Sequence, residues 1–272
     1  MGIDMRKIIL WIGTFMLAQA ATAAIQTMAV EYKDGDTVLE GFLAWDDAVA
    51  TEKNPAPGVL VIPEWWGNND YSRSRAKQLA ELGYVAFAID MYGKGKITTD
   101  PKQASEWSGA IMKDVAARRT RATAGLKVLQ DQRIVDTSRV AAIGYCMGGT
   151  LAVDLARTGT DLKAVVAFHA STFSAANPDE NKKIKGTLLI CHGSEDTFVP
   201  PGEIEKFQSQ MKEAGVDYVF AAFSGAVHAF TNPKADSFGV PGVKHNAEAD
   251  RRSWAFMKDI FQERLGQAKA KS

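Results

Sequence analysis

The segment from residue 139 to 156 constrains the fold more than any other part of the chain. It reads RVAAIGYCMGGTLAVDLA, so an apolar, β-branched run passes through closely spaced glycines into a second apolar run. A strand that leads directly into a helix is typical of α/β folds. The turn itself, Gly-Tyr-Cys-Met-Gly at 144–148, has the spacing of a nucleophile elbow with cysteine in the usual place of serine.

Strand-like and helix-like segments alternate along the rest of the chain. The early strand-like runs alternate partly, as in an antiparallel edge, whereas the later ones are continuously apolar, as in parallel strands buried on both faces. The pattern predicts one domain with a mostly parallel sheet of eight strands and helices on both faces. The predicted strands are 28–32, 38–45, 58–63, 84–90, 139–145, 164–170, 187–192 and 218–223, and residues 102–130 form one helix or two.

The composition and charge of the chain bear on the class of function that it can have. The chain has 272 residues, 46% of them hydrophobic, and 32 basic residues balance 32 acidic ones. This favours a large core and gives no support to nucleic-acid binding. The sequence has no clustered His, Cys and Asp pattern, so we expect no metal and no organic cofactor, and a small molecule as the substrate.

The N-terminus predicts a secretory signal peptide over residues 1–24. Arg6 and Lys7 precede an apolar run over 8–18, and the small residues AQAATAA follow. Cleavage is expected between Ala20 and Ala24. A membrane anchor is the competing interpretation, but the run is short for a span and lacks stop-transfer charges. We therefore expect an exported, periplasmic or secreted protein, comprising residues 25–272, that is a monomer without a membrane span.

Two further segments supply partners for Cys146. LLICHGSEDTFVP places Asp196 on the loop after a strand, and YVFAAFSGAVHAFTNP places His228 on the loop after the next. Nucleophile, acid and histidine is the chain order of the α/β-hydrolase triad. Taken singly, Cys146 could be a buried thiol, Asp196 a turn residue and His228 a loop histidine. His169, which ends another strand, is a possible pocket-lining residue.

These motifs, together with PEWWG at 63–67 and DMYGKG at 90–95, resemble the dienelactone hydrolase family of α/β-hydrolases. The resemblance implies the α/β-hydrolase fold. It also implies that Glu64 takes the thiol proton, and that the backbone amides of Trp65 and Met147 form the oxyanion hole. Burial against the tryptophans is expected to raise the pKa of Glu64 and make it a better base.

The resemblance also bears on substrate recognition. Family members that act on cyclic dienelactones hold the substrate carboxylate with two arginines, and this sequence offers Lys94 in one place and Asn232 or Lys234 in the other. Lysine keeps a charge but lacks the bidentate fork of arginine. Four aromatic residues at strand ends are expected to line an apolar pocket, with a place in the core as the alternative: Trp65, Trp66, Tyr92 and Phe230.

The second cysteine, Cys191, lies on a predicted strand that is separated from the elbow strand by one other. Two strand spacings are roughly 10 Å, which exceeds the Cα separation of a disulfide. Two free thiols are therefore expected, with Cys191 buried and inert. The sequence thus predicts a hydrolase of carboxylic esters or lactones that uses a Cys146–His228–Asp196 triad and a thioester intermediate. A non-catalytic binding protein, or a thiol acyl-transfer or redox protein, stays open as an alternative.

Overall fold

The computed structural model describes residues 25–266. The predicted signal peptide lies outside the described residues. The strands are β1 (Ile25–Asp34), β2 (Thr37–Asp46), β3 (Ala56–Ile62), β4 (Val85–Ala88), β5 (Val135–Tyr145), β6 (Ala164–Phe168), β7 (Thr187–Gly193) and β8 (Tyr218–Phe223). The helices are α1 (Asp70–Glu81), α2 (Pro101–Lys113), α3 (Val115–Gln130), α4 (Met147–Ala156), α5 (Glu203–Ala214) and α6 (Ala247–Leu265), with 3₁₀ turns at Pro178–Lys183 and Ala235–Phe238.

All eight strands form one sheet in the order β1-β2-β4-β3-β5-β6-β7-β8. β1 and β2 pair antiparallel, as do β2 and β4, whereas every pairing from β4 to β8 is parallel. The prediction of a mostly parallel eight-stranded sheet is therefore confirmed. None of the helices within residues 25–266 has the length and apolar character needed to cross a membrane.

Helices cover both faces of the sheet, and the central strands bury side chains on each face. On β3, Leu60 and Ile62 belong to the core beneath α2, α3, α4 and α5, whereas Val59 and Val61 belong to the core beneath α1 and α6. Alternate residues of a strand point to opposite faces, so a continuously apolar run is what a doubly covered strand requires. Hydrophobic burial on two faces thus explains the sequence pattern from which the fold was predicted.

Local side-chain chemistry sets one element boundary that the sequence left open and shortens one strand relative to its predicted range. Residues 102–130 form two helices because Asp114 interrupts them: its backbone is extended, and its carboxylate accepts the N–H of Ala117 at 2.9 Å, capping α3. β4 ends at Ala88 rather than at residue 90. The carboxylate of Asp90 accepts the N–H groups of Tyr92 and Gly93, which turns the chain away from the sheet.

Candidate active site

The elbow between β5 and α4 holds Cys146 in an unusual backbone conformation. Its φ is 54° and its ψ is −120°. A Cβ on Gly144 would lie 2.0 Å from the carbonyl oxygen of Gly148, and a Cβ on Gly148 would lie 2.3 Å from the carbonyl oxygen of Ile62. Both positions therefore require glycine. The close approach of helix and strand fixes the turn, which leaves the Cys146 side chain partly exposed at its apex.

The structure brings the three predicted triad residues together. His228 Nε2 lies 3.0 Å from Cys146 Sγ, and His228 Nδ1 donates to Asp196 Oδ2 at 2.8 Å. The other oxygen of Asp196 accepts the backbone N–H of Phe198, which fixes the carboxylate. His228 and Asp196 are both buried. The arrangement is a thiol, an imidazole and an orienting carboxylate connected in line.

The electrostatic surroundings favour a charged histidine. Burial by itself lowers the pKa of His228, but the negative charge of a Cys146 thiolate and the hydrogen bond to Asp196 raise it to about 10. An imidazolium at neutral pH is the natural partner of a thiolate nucleophile.

Glu64 lies in the loop after β3 and lines the same cavity as Cys146. Its Oε2 accepts from Asn232 Nδ2 at 2.7 Å, whereas its Oε1 is buried without a hydrogen-bond partner. Burial raises the pKa of Glu64 to about 7, against the opposing effects of Asn232 and His228. The group is therefore a half-satisfied carboxyl that titrates near neutrality beside the thiol.

The amides predicted for the oxyanion hole have no hydrogen-bond acceptor among the residues that the structure describes. Among residues 25–266, neither the N–H of Trp65 nor that of Met147 donates to a backbone or side-chain acceptor. Met147 is the first residue of α4, whose N-terminus carries partial positive charge. The hydroxyl of Tyr92 donates to the carbonyl of Trp65 at 3.0 Å and lies 3.4 Å from Met147 Sδ, so it links the two segments.

Apolar side chains form most of a cavity of about 170 Å³ that contains Glu64, Cys146 and His228. The ring centroid of Trp66 lies 4.9 Å from that of Trp65 and 4.7 Å from that of Phe238. The ring centroids of Phe198 and His228 are 4.6 Å apart. Met112, from α2, also lines the cavity. Sequence reasoning missed Met112, Phe198 and Phe238. Only Phe198 had a signal, its position two residues after Asp196.

Three residues predicted to bind substrate lie elsewhere. Tyr92 and Phe230 are buried and do not line the cavity. Lys94 lies on the surface, where its Nζ is 2.6 Å from Glu31 and 3.6 Å from Glu40. In the sequence these residues follow β4 and β8, whose carboxyl ends lie at the same edge of the sheet as the elbow. Their side chains, however, point to the core or to solvent. Neither residue suggested after His228 as a carboxylate ligand lines the cavity: Asn232 is buried and donates to Glu64, and Lys234 is exposed on the surface.

His169 is placed behind the nucleophile rather than in the pocket. It is fully buried, and its Nδ1 accepts the backbone N–H of Cys146 at 3.1 Å, an N–H that it shares with the carbonyl of Phe168 at 3.0 Å. Its Nε2 therefore carries the proton and donates to Thr231 Oγ1 at 2.7 Å. Thr231 in turn lies 2.6 Å from the hydroxyl of Tyr71, and Arg75 binds the carbonyl of Thr231. Burial holds the pKa of His169 well below its ordinary value, so the ring is neutral.

Backbone strain is concentrated around the same site. Within residues 25–266, the non-glycine residues with positive φ are Cys146, His169 and Ala229, which follows His228. Such conformations cost about 1–3 kcal/mol each and persist where the surrounding structure imposes them. Within the same range, no group of three or more His, Cys, Asp or Glu side chains has the arrangement of a metal site.

Comparison with known proteins gives the family. The model of the dienelactone hydrolase family matches residues 45–265. Protein usf of Aquifex pyrophilus is 31% identical over 246 residues, which cover 87% of this chain and 98% of that protein. A Bradyrhizobium protein named "Probable 2-oxo-3-(5-oxofuran-2-ylidene)propanoate lactonase" is 26% identical over 239 residues, covering 79% of this chain and 89% of that protein.

A solved structure gives a close match in three dimensions. It is a dienelactone hydrolase-like promiscuous phosphotriesterase from metagenomic libraries, 37% identical, with a TM-score of 0.85. The match covers 89% of this chain and all of that one. The fold, the near full-length relatives and the family match agree: this chain belongs to the dienelactone hydrolase family, whose members are hydrolases of ester and lactone bonds.

Proposed function

We propose that this protein hydrolyses carboxylic esters or lactones through a thioester formed on Cys146. The observation that carries the proposal is the connected geometry at the elbow, with 3.0 Å from Cys146 Sγ to His228 Nε2 and 2.8 Å from His228 Nδ1 to Asp196. A nucleophile beside a base that is held by a third group is the arrangement required for covalent catalysis. Its position in an apolar cavity supports a small organic substrate.

The acylation step follows from this geometry. The Cys146 thiolate attacks the carbonyl carbon, a C–S bond forms, and the carbonyl electron pair moves to the oxygen. The free N–H groups of Trp65 and Met147 stabilise that oxyanion. When the intermediate collapses, the C–O bond breaks and the His228 imidazolium gives its Nε2 proton to the departing alkoxide. Asp196 keeps the imidazole ring oriented throughout.

Deacylation reverses these roles. His228, now neutral, removes a proton from water as the water attacks the thioester carbonyl. The second tetrahedral intermediate collapses, the C–S bond breaks and the Cys146 thiolate leaves, which releases the carboxylic acid. Before acylation, Glu64 takes the thiol proton, which leaves the Cys146 thiolate beside the His228 imidazolium. After deacylation, Glu64 returns that proton to the Cys146 sulfur. This role is supported by the raised pKa of Glu64 and its unpartnered Oε1.

The experiment that tests this function compares three proteins with 4-nitrophenyl acetate as substrate. Wild type and Cys191→Ala should release 4-nitrophenol at similar rates, whereas Cys146→Ala should lose at least about 10³-fold in kcat/KM. Activity retained in Cys146→Ala would contradict the proposal, and no activity in wild type would favour the binding-protein alternative. A product that depends on an added thiol or alcohol would indicate acyl transfer instead.

A second activity, hydrolysis of neutral phosphotriesters, is favoured by the 37% identity to the phosphotriesterase. Here Cys146 attacks phosphorus, an S–P bond forms and an aryloxide leaves, and water then breaks the S–P bond. Diethyl 4-nitrophenyl phosphate should release 4-nitrophenol with wild type and not with Cys146→Ala. Equal release by both proteins would contradict this activity.

Export is proposed on the basis of the basic, apolar and small-residue segments of residues 1–24. Expression of the full chain should give a protein in the periplasm or medium whose first residue lies just after one of the alanines at 20–24. N-terminal sequencing by mass spectrometry measures this. An intact N-terminus on a cytoplasmic protein would contradict the proposal.

A further inference from the structure

We propose that the cavity selects esters and lactones that carry no negative charge. The inference names the substrate class of the proposed hydrolase and so rests on that function. It departs from the recognition of a substrate carboxylate that the arginine pattern of dienelactone-cleaving relatives implies.

The first observation is the charge inventory of the cavity. Among the described residues that line it, Glu64, Cys146 and His228 are the titratable ones, and no lysine or arginine contributes. The His228 imidazolium already has a partner on each side, the thiol and Asp196. A substrate carboxylate would therefore enter the cavity without a free cation to compensate for its lost hydration, which is unfavourable.

Lys94 cannot supply that cation from its position. Its side chain is about half exposed (50%) and pairs with Glu31 and Glu40 on β1 and β2. Lys96 and Arg121 line a different groove. None of the three basic side chains, Lys94, Lys96 and Arg121, therefore lines the cavity that contains the Cys146 thiol.

The second observation is the carboxyl of Glu64. Its Oε1 is buried without a partner, and its Oε2 is already bound to Asn232. An anionic substrate group would face this carboxylate across a small apolar space, where the two like charges would repel each other without water to screen them. A neutral substrate avoids that repulsion.

The third observation is the shape of the apolar lining. The rings of Trp65, Trp66 and Phe238 form one side, and Phe198 extends beside the His228 ring with 41% of its side chain exposed. Flat apolar groups pack well against such rings. A cavity of about 150 Å³ is known to hold benzene, so the volume of about 170 Å³ here accommodates one ring or a short acyl chain.

The test uses two substrates with the same 4-nitrophenyl ester and the same chain, 4-nitrophenyl methyl succinate and 4-nitrophenyl hydrogen succinate, which differ in charge and in one methyl group. Wild type should show a kcat/KM at least about tenfold higher for the methyl ester. Met112→Lys adds a cation to the lining and should lower that ratio, whereas the uncharged control Met112→Gln should not. Lys94→Ala should leave the ratio unchanged. A ratio near one in wild type, or a ratio that shifts in Lys94→Ala, would overturn the inference.

Failure of the hydrolase function itself is separated by a binding measurement. Calorimetry on the Cys146→Ser variant, which keeps a hydrogen-bonding partner for His228, compares methyl benzoate with benzoate. Tighter binding of methyl benzoate supports the charge selection even if neither succinate ester is hydrolysed. Equal or tighter binding of benzoate, or no binding of methyl benzoate, contradicts it.

Discussion

The two cysteines of the chain differ completely in their surroundings. Cys146 follows β5 and Cys191 lies in β7, and only β6 separates these two strands in the sheet. Cys191 lies within β7, is fully buried among apolar side chains, and has a pKa that burial raises. Cys146 lies one residue beyond β5, in a positive-φ turn, with His228 at 3.0 Å. We expect the two thiols to differ in reactivity for this reason, because the backbone turn and the loops around a thiol set its exposure and its charged neighbours.

Among substitutions of the residues around Cys146, removal of the Asp196 carboxylate should cause the largest loss of activity. Asp196→Asn keeps the size of the side chain but removes the charge that stabilises the His228 imidazolium. We expect kcat/KM for 4-nitrophenyl acetate to fall by about 10²- to 10⁴-fold while the protein stays folded. Steady-state kinetics with circular dichroism as the folding control measures this. A loss below about threefold would mean that Asp196 does not support the histidine.

Glu64→Gln should lower kcat/KM by about 10- to 100-fold, since it removes a base near the thiol. In wild type we expect kcat/KM to rise with pH through about 7, the pKa to which burial raises Glu64 against the opposing charges of His228 and Arg75. The variant should lose that rise. An unchanged pH profile in the variant would exclude Glu64 as the base.

Glu64→Gln is also expected to change how the stability of the protein depends on pH. The pKa of Glu64 is about 7 in the folded protein and 4.5 for the ordinary group, so between these values the folded state keeps a proton that the unfolded chain has released. The stabilisation of the folded state by the protonated Glu64 carboxyl is complete below about pH 4.5 and is lost as the pH rises through 7. Relative to Glu64→Gln, the unfolding free energy of wild type should fall by about 3 kcal/mol across that window. Urea unfolding at several pH values measures it, and a constant difference would contradict the buried state of the carboxyl.

Substitutions of His169 test whether its hydrogen bond to the Cys146 N–H helps to position the thiol. His169→Leu removes one of the two acceptors of the Cys146 N–H and leaves the Phe168 carbonyl in place. We expect kcat to fall by about threefold to tenfold with little change in KM, because the turn that holds the thiol is less firmly positioned. His169→Asn retains an acceptor and should recover most of the rate. His192→Leu, at an equally buried histidine whose Nδ1 has no partner, is the matched control. Equal losses in His169→Leu and His169→Asn would indicate a general packing defect.

The smallest effect is expected at the other cysteine. Cys191→Ala should leave kcat/KM within about twofold of wild type and lower the unfolding free energy by about 1 kcal/mol, since it removes only a buried sulfur. Iodoacetamide should label Cys146 in the folded protein and Cys191 only after unfolding. Labelling of Cys191 in the folded protein would remove the contrast between the two thiols.

The sequence predicted those parts of the site whose positions depend on local geometry. Gly144 and Gly148 mark a turn that no other residue fits, and the ends of β7 and β8 bring Asp196 and His228 to the elbow because parallel strands share one carboxyl edge. These positions follow from spacing along the chain, so a pattern is enough to find them.

The pocket could not be predicted in the same way. Lys94 follows the correct strand, but Glu31 and Glu40 on β1 and β2 attract its side chain to the surface. Met112 and Phe238 reach the cavity from α2 and a 3₁₀ turn that have no motif. The role of His169 depends on a hydrogen bond to a strained turn. Long-range packing decides these contacts, and spacing in the sequence carries little information about it.

The most direct test of the central claim is to identify the acylated residue during turnover. Wild type mixed with 4-nitrophenyl acetate and quenched in acid within the first turnovers should carry one acetyl group, located by peptide mass spectrometry on Cys146. Cys191→Ala should show the same adduct, and Cys146→Ala should show none. An acetyl group on any other residue, or full hydrolytic activity with no acetyl group on Cys146, would contradict the account.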